Sequence, residues 1–262
     1  MDLGIPINDN KKLERVSKVI SKNKELDGYL KSANVNAMDR LKYSDHGPTH
    51  IKIVANAALK ILRILVDRDV TPSIVENHGF DLDDAEVEVV LAATLHDIGM
   101  AVHRKDHDQM SVFLGQNLLQ TILDGIYENE EKAIMISEIL GTLFPHDGRG
   151  EVLTVEAGIL AIADALDMAE GRARIPFEAG QVDIHSVSAM AINKVEINEG
   201  KDGEKPVKIK IIMNNSAGVF QVDELLKKKV QASGLQEYFD IVAEIASEEE
   251  EKEEVILRRF EF

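Results

Sequence analysis

The sequence feature that most restricts the fold is a mostly apolar run, Val87–Leu95, that continues directly into His96-Asp97-Ile98-Gly99. An apolar run of this length is typical of a buried helix. Burying an ionised carboxylate at the end of such a helix is costly unless a cation compensates for the charge. Neither Lys nor Arg occurs between Val87 and Ala101. Because imidazole and carboxylate side by side suit a divalent transition metal, the run predicts a metal site at a helix end.

Composition limits the classes of protein that the chain can represent. Of the 262 residues 44% are apolar, so one large domain, or one domain with a small appendage, can bury a substantial core. We expect no membrane association, since no apolar run is long enough for a span and residues 1–10 do not resemble a signal peptide. The absence of cysteine excludes disulfides and thiolate ligands and fits a cytoplasmic protein. The net charge of −17 argues against duplex nucleic acid as a partner.

Helical periodicity predicts a mainly α chain up to about residue 181, with residues 1–43 forming a helical N-terminal cover. After a turn at Ser44–His50, with Thr49 as the expected N-cap, the next helix carries an apolar stripe that includes Ile53. His50 precedes Ile53 by three positions, so it lies on the same inward face. Two short polar helices are predicted at about residues 11–20 and 24–33, and further helices at about residues 81–95, 107–123, 130–140 and 151–170.

The last of these helices carries a second acid that is expected to be buried. Its apolar stripe runs through Leu153, Ala157 and Leu160 and leads to Asp164. The residues on either side of Asp164 are apolar, and no ion-pair partner is evident near it in the sequence. A buried Asp164 therefore also needs a cation.

The order His50, then His96-Asp97, then Asp164, on three different predicted helices, resembles the HD superfamily of metal-dependent phosphohydrolases, an all-helical domain. The resemblance extends from about residue 46 to residue 170, and His96–Gly99 is similar to the HDIG form of the motif. By position, the resemblance implies that His50, His96, Asp97 and Asp164 bind one divalent metal ion, with His96 and Asp97 at the catalytic centre.

The resemblance also implies where a second metal ion would be held. Some members of the superfamily have two further histidines between the His-Asp pair and the last Asp, and His107 and His146 stand at suitable places. In that arrangement Asp97 would bridge both ions. The implied cofactor is one or two divalent ions from the group Mn, Fe, Co, Ni, Zn and Mg.

The chain departs from the family pattern in two ways. Many relatives have a lysine directly after the HDIG string, where this chain has Met100, so Arg104 or Lys105 would have to replace it. The Gly-Tyr-Pro signature of the cyclic-di-GMP branch is absent, which argues against that substrate. Positive charge is expected at the substrate phosphate. The candidate substrate-binding residues are Lys105, Arg149, Arg172 and Arg174.

Each assignment has a structural alternative. A single core histidine is more often hydrogen-bonded than metal-bound, and only the combined order of the ligands favours metal binding. His46 and His103 lie close to the candidate ligands in the sequence and could instead orient a ligand or contact the substrate. Arg172 and Arg174 could merely complement a helix C-terminus.

From about residue 182 the periodicity changes from 3.6 residues to two, which predicts a small α+β unit at residues 182–262. Met190–Asn198 and Val207–Asn214 are expected to form a β-hairpin, and Val255–Phe262 could add a third strand. Helices are predicted at Val222–Gln231 and Gln236–Ala246, and the acidic run at residues 248–254 is expected to be a solvated helix face. The unit could also mediate homo-oligomerisation.

The predicted function is hydrolysis of a phosphate ester of a nucleotide or related small molecule by a metal-activated water. Two alternatives remain open. One is a phosphodiesterase for a cyclic or linear oligonucleotide. The other is a nucleotide-sensing module that keeps the metal site without turnover and uses the C-terminal unit for output or dimerisation.

Overall fold

The computed structural model describes residues 1–148, 150–169, 184–246 and 259–261. Up to residue 169 the described chain is helical, as predicted, with a π-helical turn at Val35–Arg40 and a 3-10 turn at Ile98–Ala101. The α-helices of this part are α1 (Lys11–Lys22), α2 (Lys24–Asn34), α3 (Pro48–Val66), α4 (Ser73–His78), α5 (Leu82–Leu95), α6 (His107–Ile122), α7 (Asn129–Leu143) and α8 (Val155–Leu166). None of the described helices has both the length and the apolarity that crossing a bilayer requires.

Helix α5 is the buried centre of this bundle. Its start is fixed by a capping box, in which the Asp81 side chain accepts from the Asp84 backbone N–H at 3.0 Å and Asp84 accepts from the Asp81 N–H at 3.1 Å. Every residue from Val87 to Leu95 is buried, and α1, α3, α7 and α8 pack around the helix. The chain that follows α5 therefore begins inside the core.

The expected start of α3 is wrong by two residues. Gly47 is the N-cap rather than Thr49, and Pro48 occupies the first helical position, where its fixed φ and missing N–H are tolerated. His50 is buried as expected, but Ile53 is 42% exposed. The packed face of α3 is centred on His50 and Val54, which turns Ile53 towards solvent.

Helix α8 is shorter than predicted. Thr154 is its N-cap and accepts a hydrogen bond from the Ala157 backbone N–H at 3.1 Å. Leu153 consequently precedes the helix and is 81% exposed, so its assignment to the apolar stripe is wrong. Ala157 and Leu160 are buried as predicted.

The C-terminal part contains a four-stranded sheet in the order β1-β2-β3-β4. The predicted hairpin is confirmed, because β1 (Ile192–Glu199) pairs antiparallel with β2 (Val207–Met213). The helix predicted at Gln236–Ala246 is wrong, since β3 (Phe239–Ile245) pairs parallel with β2 along its whole length. The short strand β4 (Arg259–Glu261) pairs antiparallel with β3, within the segment where a third strand was predicted. The acidic run at residues 248–254 lies outside the described residues.

Within the described residues two α-helices accompany the sheet, α9 (Ile184–Met190) and α10 (Lys227–Ala232), the latter continuing a π-helical turn at Gln221–Leu226. Helix α10 packs against α8. Their approach is close at Gly158, where an added Cβ would lie 2.7 Å from the carbonyl oxygen of Ser233. The hydrophobic core is continuous from the helical bundle into the sheet. The predicted domain boundary at residues 181/182 lies outside the described residues and stays a prediction.

Candidate metal centre

Six side chains from five parts of the helical bundle converge on one buried centre. Five of them are buried, and the side chain of Asp164 is 20% exposed. They are His50 in the first turn of α3, His96 and Asp97 directly after α5, His107 at the start of α6, His146 in the loop after α7, and Asp164 in α8.

Four of these side chains form a first group of candidate metal ligands. His50 Nε2 lies 3.2 Å from His96 Nε2 and 3.3 Å from Asp97 Oδ2. His96 Nε2 lies 3.4 Å from the same Asp97 oxygen. Asp164 Oδ1 is 3.4 Å from His50 Nε2 and 3.8 Å from His96 Nε2. Ligand atoms about 2.1 Å from one metal ion lie roughly 3.0–3.4 Å apart in octahedral or tetrahedral coordination. The atoms of His50, His96 and Asp97 therefore fit a divalent ion, and Asp164 lies beside them.

A second group forms on the other oxygen of the same aspartate. Asp97 Oδ1 lies 3.2 Å from His107 Nε2 and 3.6 Å from His146 Nε2, and these two nitrogens are 3.2 Å apart. Asp97 thus presents one oxygen to each pair of histidines. A carboxylate in this position can bridge two metal ions. A single ion would leave one of the two histidine pairs without a metal to bind.

The hydrogen bonds of three of the imidazole rings indicate which nitrogen carries the proton. In the rings of His50, His96 and His146, Nδ1 faces an acceptor, which leaves the lone pair of Nε2 pointing into the centre. In the ring of His107, Nδ1 faces a carbonyl oxygen and also lies 3.1 Å from the Nη1 donor of Arg104. Two lone pairs at 3.2 Å cannot hydrogen-bond to each other, but a shared cation satisfies both. The acceptors are Asp167 Oδ2 for His50 (2.6 Å), Ala93 O for His96 (2.9 Å), Arg104 O for His107 (3.1 Å) and Leu143 O for His146 (2.6 Å).

Asp167 is a functional candidate that the sequence reasoning missed. Its carboxylate is buried and accepts from His50 Nδ1, forming the carboxylate–histidine pair that commonly orients a metal ligand. Asp167 is the C-cap of α8, three residues after Asp164. The sequence signal for Asp167 was its spacing of three residues from Asp164 at the end of the helix, because residues three apart lie on the same helix face.

Gly99 allows the second group to reach the first. An added Cβ on Gly99 would lie 1.9 Å from the carbonyl oxygen of His107 and 2.6 Å from the backbone nitrogen of Ser111. Only glycine permits the turn after α5 to lie this close to the first turn of α6. The contact is completed by Ser111 Oγ, which accepts from Gly99 N–H at 2.9 Å and donates to His96 O at 2.6 Å.

The electrostatics of the centre keep both acids ionised. Burial raises the pKa of Asp97, but the neighbouring histidines, His96, His46, His107 and His146, outweigh it and hold the pKa well below its ordinary value.

The pKa of Asp164 is also well below its ordinary value. Burial opposes this shift, while the contact with His50 and the charge of Lys229 produce it. Ionised carboxylates are the form that binds metal.

Three of the predicted substrate-binding residues, Arg149, Arg172 and Arg174, lie outside the described residues. Lys105 is exposed in the loop before α6, and its backbone N–H donates to Nδ1 of the exposed His103 at 2.9 Å. His46 is half-buried beside the first group, with its ring centroid 5.8 Å from that of His50 and its Nδ1 2.7 Å from Ser44 O.

Among the described residues, two further cationic side chains lie beside the candidate ligands. Arg104, which the sequence offers as a replacement for the family lysine, has Nη1 3.1 Å from His107 Nδ1 and its guanidinium 6.0 Å from the ring centroid of Tyr43. Lys229, from α10, donates to His146 O. No sequence signal pointed to Lys229, because it lies 83 residues after His146 in the chain.

Comparison with known proteins agrees with this geometry. The family model of the HD domain matches residues 48–169, a range that includes all six candidate ligands. The chain is also 42% identical over 236 residues to the uncharacterized protein MJ1020 of Methanocaldococcus jannaschii, covering 90% of this chain and 90% of that relative. HD domains are typically metal-dependent phosphohydrolases, and the buried His/Asp groups of this chain could bind a divalent metal. The helical fold, the ordered His and Asp residues and the family match together show that this chain belongs to the HD domain family.

Proposed function

We propose that the protein is a metal-dependent phosphohydrolase that cleaves a phosphate ester of a nucleotide or a related small molecule at a two-ion centre. The observation that carries this proposal is that the two oxygens of the Asp97 carboxylate face different histidines. Oδ2 lies 3.3 Å from His50 Nε2, and Oδ1 lies 3.2 Å from His107 Nε2. When bound, divalent ions in such a site activate water for attack on phosphorus and stabilise the charge on the phosphate oxygens.

The residues of the chain prepare the centre for this chemistry. The Nδ1 contact of each histidine fixes its ring, so that the Nε2 atoms are preorganised and need no reorientation when substrate binds. Burial of His96 and Asp97 keeps bulk water away from the inner side of the centre. Asp164, at 20% exposure, is the most open of the six ligands, so we infer that substrate approaches from its side.

Exposed residues beside the candidate metal centre support a nucleotide as the substrate. Tyr43 is 40% exposed, and the guanidinium of Arg104 lies over its ring, next to His107. An exposed aromatic ring beside a cation can stack with a base and meet a phosphate in the same ligand. The net charge of −17 favours a small anion held locally over an extended polyanion. The absence of cysteine supports a cytoplasmic location.

The test is a turnover screen with Mn, Co, Ni, Mg and Fe(II) loaded in parallel. The substrates are nucleoside mono-, di- and triphosphates, cyclic mononucleotides, dinucleotides and a generic phosphodiester, with Asp97→Ala as the inactive control. We expect phosphate release from at least one nucleotide monoester. Cleavage of diesters alone would instead identify a phosphodiesterase. Tight nucleotide binding without turnover by any metal form would overturn the enzymatic proposal in favour of a sensor.

A Tyr43→Ala variant separates a nucleotide substrate from a simpler phosphate ester. If the ring stacks on a base, the variant should raise KM for the nucleotide several-fold and leave KM for a non-aromatic phosphate ester unchanged. Equal effects on both substrates would argue against the nucleotide. Self-association through the C-terminal unit stays a separate prediction, which sedimentation of the full chain would test.

A further inference from the structure

A lysine of the C-terminal part reaches the metal centre of the helical bundle. The ammonium group of Lys229 donates to the backbone carbonyl of His146 and lies 3.8 Å from Asp164 Oδ2. Its side chain is 22% exposed, similar to the 20% of Asp164. One side chain therefore contacts a residue of each ligand group, since Asp164 belongs to the first and His146 to the second.

In both Asp164 and His146, Lys229 contacts an atom that does not face the other candidate ligands. Asp164 turns Oδ1 towards His50 Nε2 at 3.4 Å and Oδ2 towards Lys229. The ring of His146 turns Nε2 towards Asp97 Oδ1, while the carbonyl of the same residue accepts from Lys229. Lys229 is thus placed to orient the two ligands without occupying their metal-binding atoms.

The position of Lys229 is set by tight packing of α10 on α8. Leu226 and Val230, which lie before and after Lys229 in the chain, are buried. Gly158 provides the close approach, since an added Cβ would lie 2.9 Å from Leu235 Cδ1 as well as 2.7 Å from Ser233 O. An ammonium group on a rigidly packed helix loses less freedom in holding two partners than one on a mobile loop.

The two preceding lysines on the same helix have a different role. Lys227 pairs with Asp223 at 3.1 Å and is 41% exposed, and Lys228 pairs with Glu224 and is 63% exposed. Both pairs are spaced i, i+4 on the surface, where an ion pair contributes little to stability. Lys228 therefore provides a matched control for the removal of a lysine charge one residue away from Lys229.

We propose that Lys229 is a positioning residue that holds Asp164 with a single oxygen towards the first ion and restrains the His146 loop at the second, so that the C-terminal unit completes the two-ion centre. This inference rests on the metal centre of the proposed function and adds a residue from outside the matched HD domain. Removing a partner that orients metal ligands typically lowers metal affinity about 10–100-fold.

The experiment uses the full chain and Co(II), which binds the same types of ligand and gives visible absorption bands that depend on ligand geometry. Wild type, Lys229→Met, Lys229→Gln, Lys229→Arg and Lys228→Met are titrated with Co(II), and melting in excess chelator checks that each variant folds. We expect about tenfold weaker Co(II) binding and altered bands for Lys229→Met and Lys229→Gln. Lys229→Arg should restore most of the affinity, and Lys228→Met should match wild type.

Two results would overturn the proposal. One is wild-type Co(II) affinity and absorption in both Lys229→Met and Lys229→Gln. The other is a rise in KM alone with unchanged metal binding, which would make Lys229 a phosphate contact. Failure of the proposed function is distinguishable, because a wild-type protein that binds Co(II) but turns over no phosphate ester still gives all the metal-binding readouts.

Discussion

The carboxylate of Asp97 stands between two histidine pairs, and its Oδ1 atom lies 3.2 Å from Nε2 of His107 while Oδ2 faces His50 at 3.3 Å. The geometry has two causes in the chain. His96 and Asp97 directly follow the buried helix α5, and Gly99 lets the first turn of α6 approach that point closely. A single carboxylate consequently joins ligands from α3, α5, α6 and the loop after α7.

Asp97→Ala should remove bound metal and activity together, because the two carboxylate oxygens of Asp97 face the two groups of candidate ligands. Elemental analysis after dialysis measures the effect. The metal-dependent stabilisation should vanish too, since saturation at 100-fold above Kd contributes about 2.7 kcal/mol to the free energy of unfolding. Full metal content in this variant would disprove the assignment of the centre.

His107→Ala and His146→Ala should each lower the metal content towards one ion per chain. The first group, with His50 and Asp164, remains intact in both variants. We expect activity to fall by far more than stability, because the second ion serves mainly the transition state. Metal analysis, turnover and melting are measured on the same samples. A wild type that never exceeds one ion, with both variants fully active, would show that the site is mononuclear.

Gly99→Ala should lower the free energy of unfolding by at least 1–3 kcal/mol, the usual cost of overpacking. The new methyl group would have to displace the carbonyl of His107 from 1.9 Å, and with it the second ligand group. Urea unfolding and metal analysis are the measurements. Gly28→Ala is the control, because a Cβ at that position in α2 meets no atom within 4 Å and should stabilise the helix by about 0.5–1 kcal/mol. Equal effects at both glycines would contradict the close-approach explanation.

Glu88→Gln should stabilise the protein at alkaline pH. Burial raises the pKa of Glu88 well above its ordinary value, the charge of Glu156 raises it further, and the hydrogen bond from Thr142 lowers it. The Oε2 atoms of Glu88 and Glu156 have no hydrogen-bond partner within the described part of the chain. The folded state thus favours the protonated form, because an ionised carboxylate here is neither solvated nor paired.

The sign of the pH dependence follows from this raised pKa. The contribution of Glu88 to stability is complete below the unfolded pKa of about 4.3 and is lost as the pH rises through the folded pKa. Urea unfolding of metal-free protein should show a shallower fall in stability between about pH 5 and pH 8 for Glu88→Gln than for wild type. Glu130→Gln, at an exposed position, should behave as wild type. Identical slopes for Glu88→Gln and wild type would contradict a protonated Glu88.

Several features were predictable from the sequence because they depend on local chemistry. The apolar run Val87–Leu95 requires burial wherever it is placed, and the acids Asp81 and Asp84 fit the first turn of a helix. The alternation in Val207–Met213 indicates a strand with one buried face. The ordered His and Asp residues led to the HD resemblance, which the family model bears out over residues 48–169.

Other features were decided only by the tertiary structure. Phe239–Ile245 has apolar residues that fit a helix as well as a strand, and pairing with β2 selects the strand. Leu153 and Ile53 have apolar side chains, but Leu153 precedes α8 and Ile53 lies off the packed face of α3. Which apolar residue is covered depends on the neighbouring element, and periodicity within one segment does not contain that information.

In the metal centre, too, the sequence determined some features and the tertiary structure decided others. The sequence determined the six candidate ligands, since residue type, order and helical placement are local or family-level properties. It did not determine that the carboxylate of Asp97 splits between two histidine pairs, or that Lys229 meets His146 from 83 residues away. Those relationships arise when separate helices pack against each other. Close approaches such as those at Gly99 and Gly158 then set the distances between side chains that are far apart in the sequence.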